Sequence, residues 1–129
     1  MMKGSRQGMT LIEVVMAVTI LATAMLSIAA YMGKATRIVA VADVKNTANE
    51  LASQRLEEVK NAPRYSAIDT LYPGTVALPT PYVGYTRQTL VTHTGGGPSD
   101  FYDYKTITVK VSNTRLSTPI KRTTIIAAY

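Results

Sequence analysis

Glu13 is the residue whose position most calls for a chemical explanation. It stands immediately before residues 14–33, a run of 20 residues without a charged side chain. A charged side chain within a bilayer costs about 3 kcal/mol at the centre of a helix and less near its end. Glu13 is therefore either an interfacial residue that faces headgroups and water or one half of an ion pair. No basic side chain follows it before Lys34, so a pairing cation must come from elsewhere.

Other candidate chemistry in the chain is sparse. His93 is the single histidine, there is no cysteine, and no acid lies within five residues of His93, so the sequence predicts neither a zinc site nor a catalytic pair. Asp100 and Asp103 offer oxygen ligands that Ca²⁺ accepts, but two acids without further ligands favour a polar turn. We therefore expect no catalytic residues, no metal site and no cofactor, and we interpret the chain as a non-enzyme.

The uncharged run has the length of a membrane anchor. Twenty helical residues span about 30 Å, the thickness of the hydrocarbon core of a bilayer. Lys3 and Arg6 precede the run without nearby acids, which places the amino terminus in the cytoplasm by the positive-inside rule. The rest of the chain then faces the periplasm or the cell exterior.

Helical character continues beyond the anchor. Residues 34–61 contain no proline or glycine, and Pro63 predicts the end of the helix, which would run from Met9 to about Asn61. Steps of three and four residues place one apolar stripe on this part of the helix: Val41, Val44, Ala48, Leu51, Ala52, Leu56 and Val59. About 70 residues follow the helix, too few for a large separate core. We therefore expect the distal half of the helix to pack against them.

The remaining residues predict a small sheet. Residues 62–81 are interrupted by prolines and a glycine and are assigned to a connector, and residues 82–129 to the sheet. Strand character covers residues 82–93, 105–112 and 120–129, the second with a clear period of two. The expected fold class is α+β, a long helix packed against an antiparallel sheet of about three to four strands.

The amino-terminal residues resemble a known signature. Gly8-Met9-Thr10-Leu11-Ile12-Glu13-Val14 is similar to the prepilin signature of type IV pilins and type II secretion pseudopilins, with Met9 where phenylalanine is commonest. The resemblance implies that prepilin peptidase cuts after Gly8, removing residues 1–8, and methylates the new amine of Met9. It also implies that Glu13 pairs with the Met9 amine of the same chain or of a neighbouring subunit. A glycine suits the cut because a residue without Cβ permits close approach to the scissile carbonyl.

Two further segments resemble particular subunits of this family. Residues 48–58 and 105–112 are similar to parts of V-type minor pilins and I-type minor pseudopilins, and Ala30 stands where major pilins usually have proline. The resemblance implies a minor, structural or assembly-priming subunit of a type IV pilus or pilus-like filament, or alternatively a minor pseudopilin of a type II secretion system. Its partners would be prepilin peptidase, other subunits bound through the amino-terminal helix, and an inner-membrane assembly platform. The chain would cross the inner membrane once, with residues 34–129 in the periplasm, before entering a filament.

Charge and aromatic content leave a further alternative open. The formal charge is +6, and it falls to +4 if Lys3 and Arg6 leave with the leader. The basic residues are scattered, which favours an ordinary solvated surface. Basic residues Arg64, Arg87 and Lys105 and six tyrosines could stack bases during DNA uptake. These tyrosines are Tyr65, Tyr72, Tyr82, Tyr85, Tyr102 and Tyr104. Sheet and interface positions explain the tyrosines equally, so nucleic acid is the less favoured partner.

Overall fold

The structure is a computed structural model that describes residues 8–128. The chain forms two compact units, the first ending at Val39 and the second beginning at Ala40. Leader residues 1–7, including Lys3 and Arg6, lie outside the described residues. The first helix, α1, covers Leu11–Lys60, and its residues 40–60 belong to the second unit.

Within the second unit, α1 presents one apolar stripe to the core. Six of the seven residues in the stripe predicted from the sequence are buried: Val44, Ala48, Leu51, Ala52, Leu56 and Val59. The seventh, Val41, is 40 % exposed. The helix ends where the Asn61 N–H bonds the Glu57 carbonyl at 3.1 Å, two residues before Pro63, which disfavours further helix.

The segment between α1 and the long strands contains more regular structure than its composition indicates. It forms a 3-10 turn at Tyr65–Ala67, a short helix α2 at Ile68–Leu71 and a strand β1 at Gly74–Ala77. Ile68 is 2 % exposed and fills the core beneath α2. All four residues of β1 are exposed, so this strand has no alternation of apolar and polar residues by which a sequence could reveal it.

Four strands form one antiparallel meander in the order β1-β2-β3-β4. The long strands are β2 at Tyr85–Gly95, β3 at Asp103–Asn113 and β4 at Ile120–Ala127. The predicted α+β class, a long helix packed against a small antiparallel sheet, is confirmed, with the number of strands at the upper end of the expected range.

The core lies between β3 and the distal part of α1. Ile107, Val109 and Val111 alternate along β3 and have no exposed surface, and they join the buried stripe of α1 in one apolar cluster. Burying a side chain of this size contributes about 1.5–3 kcal/mol relative to leaving it in water. The sheet and the distal helix therefore depend on each other for their apolar surface.

Candidate processing and assembly site

The residues of the amino-terminal signature lie where the helix begins. Residues 8–10 precede α1 and are exposed, and the Thr10 carbonyl accepts hydrogen bonds from the N–H groups of Glu13 (3.0 Å) and Val14 (3.2 Å). The bond between Gly8 and Met9 thus lies just outside the first helical turn. A protease acting there would not have to unwind the helix.

Gly8 has no structural reason to be glycine within the described part of the chain. A Cβ built on it would meet no heavy atom of the described residues within 4 Å. The described surroundings of Gly8 thus give no packing reason for a glycine at this position. This agrees with the steric argument for close approach by a peptidase.

Glu13 lies exposed in the first turn of α1. Among residues 8–128, no lysine, arginine or histidine nitrogen lies within 4.0 Å of its carboxylate. The N–H groups at a helix start carry partial positive charge and stabilise a nearby carboxylate by about 0.3–1 kcal/mol. Within the described part of the chain, Glu13 therefore has no full cationic partner.

The first unit exposes its whole apolar surface. Every residue from Gly8 to Lys34 is exposed, including Leu11 at 85 % and Leu26 at 71 %. By length and composition α1 is the one helix among the described residues that could cross a membrane. An apolar surface of this extent needs lipid or the helices of other subunits to cover it.

The hydroxyl groups of this helix are compatible with that environment. Thr19 donates to the carbonyls of Val15 (2.9 Å) and Met16 (2.8 Å), and Thr23 and Ser27 bond back to preceding carbonyls in the same way. Because a polar group in lipid must be satisfied internally, these bonds lower the cost of placing hydroxyls among hydrocarbon.

The second unit contains a polar cluster that sequence reasoning missed. Lys105 is 2 % exposed, and its Nζ lies 2.6 Å from Oδ2 of Asp69 and 2.7 Å from the carbonyl of Tyr65. The same Nζ lies 4.1 Å from the centre of the Tyr65 ring. The signal was present in the sequence, since Lys105 falls in the alternating row of Ile107, Val109 and Val111. A lysine in a buried row requires an anionic partner, here supplied by α2.

A second set of contacts adjoins this cluster. Oδ1 of Asp103 accepts a hydrogen bond from the Tyr65 hydroxyl at 2.6 Å and lies 2.6 Å from Nε2 of His93. Both bonds lower the pKa of the Asp103 carboxyl, and the bond from Tyr65 has the larger effect. His93 thus has an acidic neighbour ten residues away in sequence. The register of β2 and β3 pairs His93 with Lys105 and Gly95 with Asp103, so Asp103 lies diagonally across from His93. No acid lies within five residues of His93 along the chain, but the fold brings Asp103 into contact with it.

The contacts of Asp103 and Asp100 hold neighbouring parts of the fold together. Asp103 holds two side chains from two other elements, and Asp100 accepts a hydrogen bond from the Gly97 N–H at 3.0 Å within the β2–β3 turn. In residues 8–128 no three histidine or acidic side chains converge as metal ligands would. Asp100 thus closes the β2–β3 turn, whereas Asp103, the first residue of β3, holds Tyr65 and His93.

Burial of Lys105 also weakens the nucleic-acid alternative. That alternative counted Lys105 among the cations beside the tyrosines, but a side chain with 2 % exposure bound to Asp69 cannot contact a phosphate. Tyr65 is likewise engaged by Asp103 and Lys105. Two members of the proposed base-stacking set are therefore occupied within the fold.

Comparison with known proteins finds a family model that matches the amino-terminal residues. Residues 3–29 match the family described as the prokaryotic N-terminal methylation motif, a span that includes Gly8, Met9 and Glu13. Searches of curated proteins and of solved structures gave no significant match. Proteins with this motif are structural rather than enzymatic, are processed by prepilin peptidase and assemble with other pilin subunits. The chain therefore carries the prokaryotic N-terminal methylation motif at the head of a long apolar helix, an arrangement that fits the type IV pilin-like proteins.

Proposed function

We propose that this chain is a minor, assembly-priming subunit of a type IV pilus or pilus-like filament. The observation that carries the proposal is the match of residues 3–29 to the methylation motif, on a segment whose predicted cleavage bond is exposed. The resemblance of residues 48–58 and 105–112 to minor subunits supports the finer assignment.

Processing is the first step of the proposed mechanism. Prepilin peptidase hydrolyses the peptide bond between Gly8 and Met9, and the open surroundings of Gly8 leave room for its catalytic groups. The cut removes residues 1–8 and creates a free amine on Met9 beside the first turn of α1. The same peptidase then methylates this amine. The neutral amine takes the methyl group from a sulfonium methyl donor, a neutral thioether leaves, and the product is a positively charged methylammonium group.

The new amine supplies the cation that Glu13 lacks among the described residues. Two unit charges 4 Å apart attract by about 4 kcal/mol at an effective dielectric constant of 20. An unpaired carboxylate next to hydrocarbon is penalised, so the position in which amine and carboxylate meet is favoured over others. Pairing Glu13 with the Met9 amine of a neighbouring subunit would fix the axial step between subunits.

Assembly then buries the exposed surface of the first unit. The chain is held in the inner membrane by residues 9–33 until the assembly platform extracts it. In the filament the helices of other subunits replace lipid around Leu11 to Met32. The second unit folds on the periplasmic side.

Intact mass tests the proposal. Protein extracted from membranes of cells with an active prepilin peptidase should lack residues 1–8 and carry one added methyl group. Gly8→Val should remain uncut, because a β-branched side chain crowds the scissile carbonyl, while Met9→Phe, which restores the commonest residue of the signature, should be cut normally. A wild-type chain that still begins at Met1 or Met2 in such cells would refute the assignment.

A further inference from the structure

The last strand of the sheet has an open edge. β4 is the terminal strand in the order β1-β2-β3-β4 and is eight residues long, whereas β1 at the other edge has four. A long edge strand presents unpaired N–H and C=O groups to which another strand can add.

The alternation of hydrogen-bonded residue pairs between β3 and β4 identifies which backbone groups of β4 point away from β3. The Ala128 N–H bonds the Asp103 carbonyl at 2.9 Å, and Asp103 is followed by the pair Tyr104 and Ala127. Because bonded and non-bonded pairs alternate in antiparallel sheets, every second residue of β4 directs its N–H and C=O away from β3. These residues are Lys121, Thr123, Ile125 and Ala127, and all four are exposed.

A groove runs along this edge, between β4 and α1. One cavity of about 250 Å³ is lined by Leu56 and Glu57 of the helix together with Arg122 and Thr124 of the strand. A second, of about 240 Å³, continues it along Ile126, and Lys60 contributes to both. A strand added to β4 would therefore have room for the side chains that point toward the helix.

The charge at the edge is unbalanced. Lys110 and Lys121 lie directly opposite each other on β3 and β4, on the face of the sheet that does not contact α1. Like charges in this position destabilise a sheet. Arg122 adds a third cation, with its Nε bound to Asn49 at 2.8 Å, and the nearby acid Glu57 is already paired with Lys60 at 2.9 Å.

We propose that the edge of β4 binds an extended, acidic segment of another protein as a fifth strand. A carboxylate opposite Lys121 would lie in the row of Lys110 and Lys121 and relieve their repulsion. Ile125 lies four residues after Lys121 on the same face of β4 and is 64 % exposed. The residue of the added strand that lies beside Ile125 would therefore be apolar. The partner is thus a strand with an acid and an apolar residue at positions i and i+4 in either direction.

A second copy of this chain fits the edge less well. It would bring a second set of the same cations, and basic residues on edge strands oppose pairing of identical edges. The inference is independent of the proposed function, because it rests on residues of the second unit alone. If cleavage after Gly8 fails, this inference is unchanged. If β4 binds no added strand, the proposed function is unchanged.

Peptide binding to the full chain in neutral detergent tests the proposal. The probe is an eight-residue peptide, the length of β4, in which threonine and valine alternate, with glutamate at one position and isoleucine four residues further on. A twin peptide carries lysine in place of glutamate. The wild-type chain should bind the acidic peptide about tenfold or more tightly than the lysine twin, and the amides of Lys121, Thr123, Ile125 and Ala127 should become protected from hydrogen exchange.

Two variants separate backbone pairing from charge. Thr123→Pro removes an N–H that points away from β3, so it should abolish binding while the Ile107 and Val109 amides keep their protection; Thr123→Ala is the control that should still bind. Lys121→Glu should reverse the preference in favour of the lysine peptide. The proposal is overturned if no saturable binding occurs at millimolar peptide, if Thr123→Pro binds as well as Thr123→Ala, or if Lys121→Glu keeps the wild-type preference. It is also overturned if the chain forms a dimer that Thr123→Pro dissociates.

Discussion

Removing one partner of the buried Lys105–Asp69 pair should be more harmful when the acid is removed than when the lysine is. Asp69→Ala leaves an ammonium group at 2 % exposure with only the Tyr65 carbonyl and ring as partners. Breaking a buried pair in this way costs about 3–5 kcal/mol. The Asp69 side chain is 43 % exposed, so solvent already screens part of the attraction. We therefore expect a loss of about 2–3 kcal/mol in the free energy of unfolding.

Lys105→Met keeps the apolar stem and removes the charge. It leaves the Tyr65 carbonyl without its donor, which costs about 1–2 kcal/mol, while Asp69 regains contact with water. The double variant should be no less stable than Lys105→Met alone, because the acid has no role once the ammonium is gone. Glu57→Ala removes an exposed pair with Lys60 and should cost about 0–0.5 kcal/mol, which makes it a matched control.

Urea unfolding of the full chain in neutral detergent, followed by tyrosine fluorescence, measures these differences. Tyr31 is the only tyrosine before Tyr65, so the signal reports chiefly on the second unit. The role assigned to the Lys105–Asp69 pair would be refuted if Asp69→Ala were as stable as Glu57→Ala. It would also be refuted if Lys105→Met were less stable than Asp69→Ala.

The other expectations concern the core, the acid response and assembly. Leu51→Ala should lower the free energy of unfolding by about 2–4 kcal/mol, because Leu51 is 3 % exposed in the core, whereas Val41→Ala, at a position 40 % exposed, should cost less than half as much by the same urea assay. The fold lowers the pKa of the Asp103 carboxyl from its ordinary 3.8, so the folded chain binds fewer protons there than the unfolded chain. The stability that ionised Asp103 contributes is present above the ordinary pKa and is lost as the pH falls through the lowered pKa. Asp103→Asn should therefore lose less free energy of unfolding than wild type between about pH 5 and pH 2. Equal losses in the two proteins would contradict this role of Asp103. Glu13→Gln keeps the shape of the side chain and removes its charge, so it should be cleaved normally and yet be depleted from sheared filaments relative to total membrane protein. Incorporation at the wild-type level would leave Glu13 as an interfacial residue.

Periodicity carried most of what the sequence could predict of the fold. The steps of three and four in α1 identified six buried residues, and the alternation in β3 identified its inner face, because both patterns continue over several turns or residue pairs. Strand β1 could not be found this way. Its four residues are all exposed, and it exists through its backbone bonds to β2 rather than through a buried face.

In the candidate site, too, some residues could be identified from the sequence and others could not. Gly8, Met9 and Glu13 are close in sequence, so a local signature was sufficient to nominate them, and the family match covers all three. The contacts of Asp69 with Lys105, and of Tyr65 and His93 with Asp103, join residues from 10 to 38 positions apart. Only the register of β2 and β3 and the position of α2 bring them together, and neither can be obtained from spacing along the chain.

The ion pair between α2 and β3 has a consequence for how the second unit forms. The chain contains no cysteine, so the segment after α1 is held to the sheet by this ion pair together with apolar packing and hydrogen bonds, and not by a disulfide. A disulfide at such a point would require an oxidant and could be reduced or paired wrongly. The Lys105–Asp69 contact needs neither oxidase nor isomerase and forms as soon as the two elements meet. Folding of this unit is therefore indifferent to the redox potential of its surroundings.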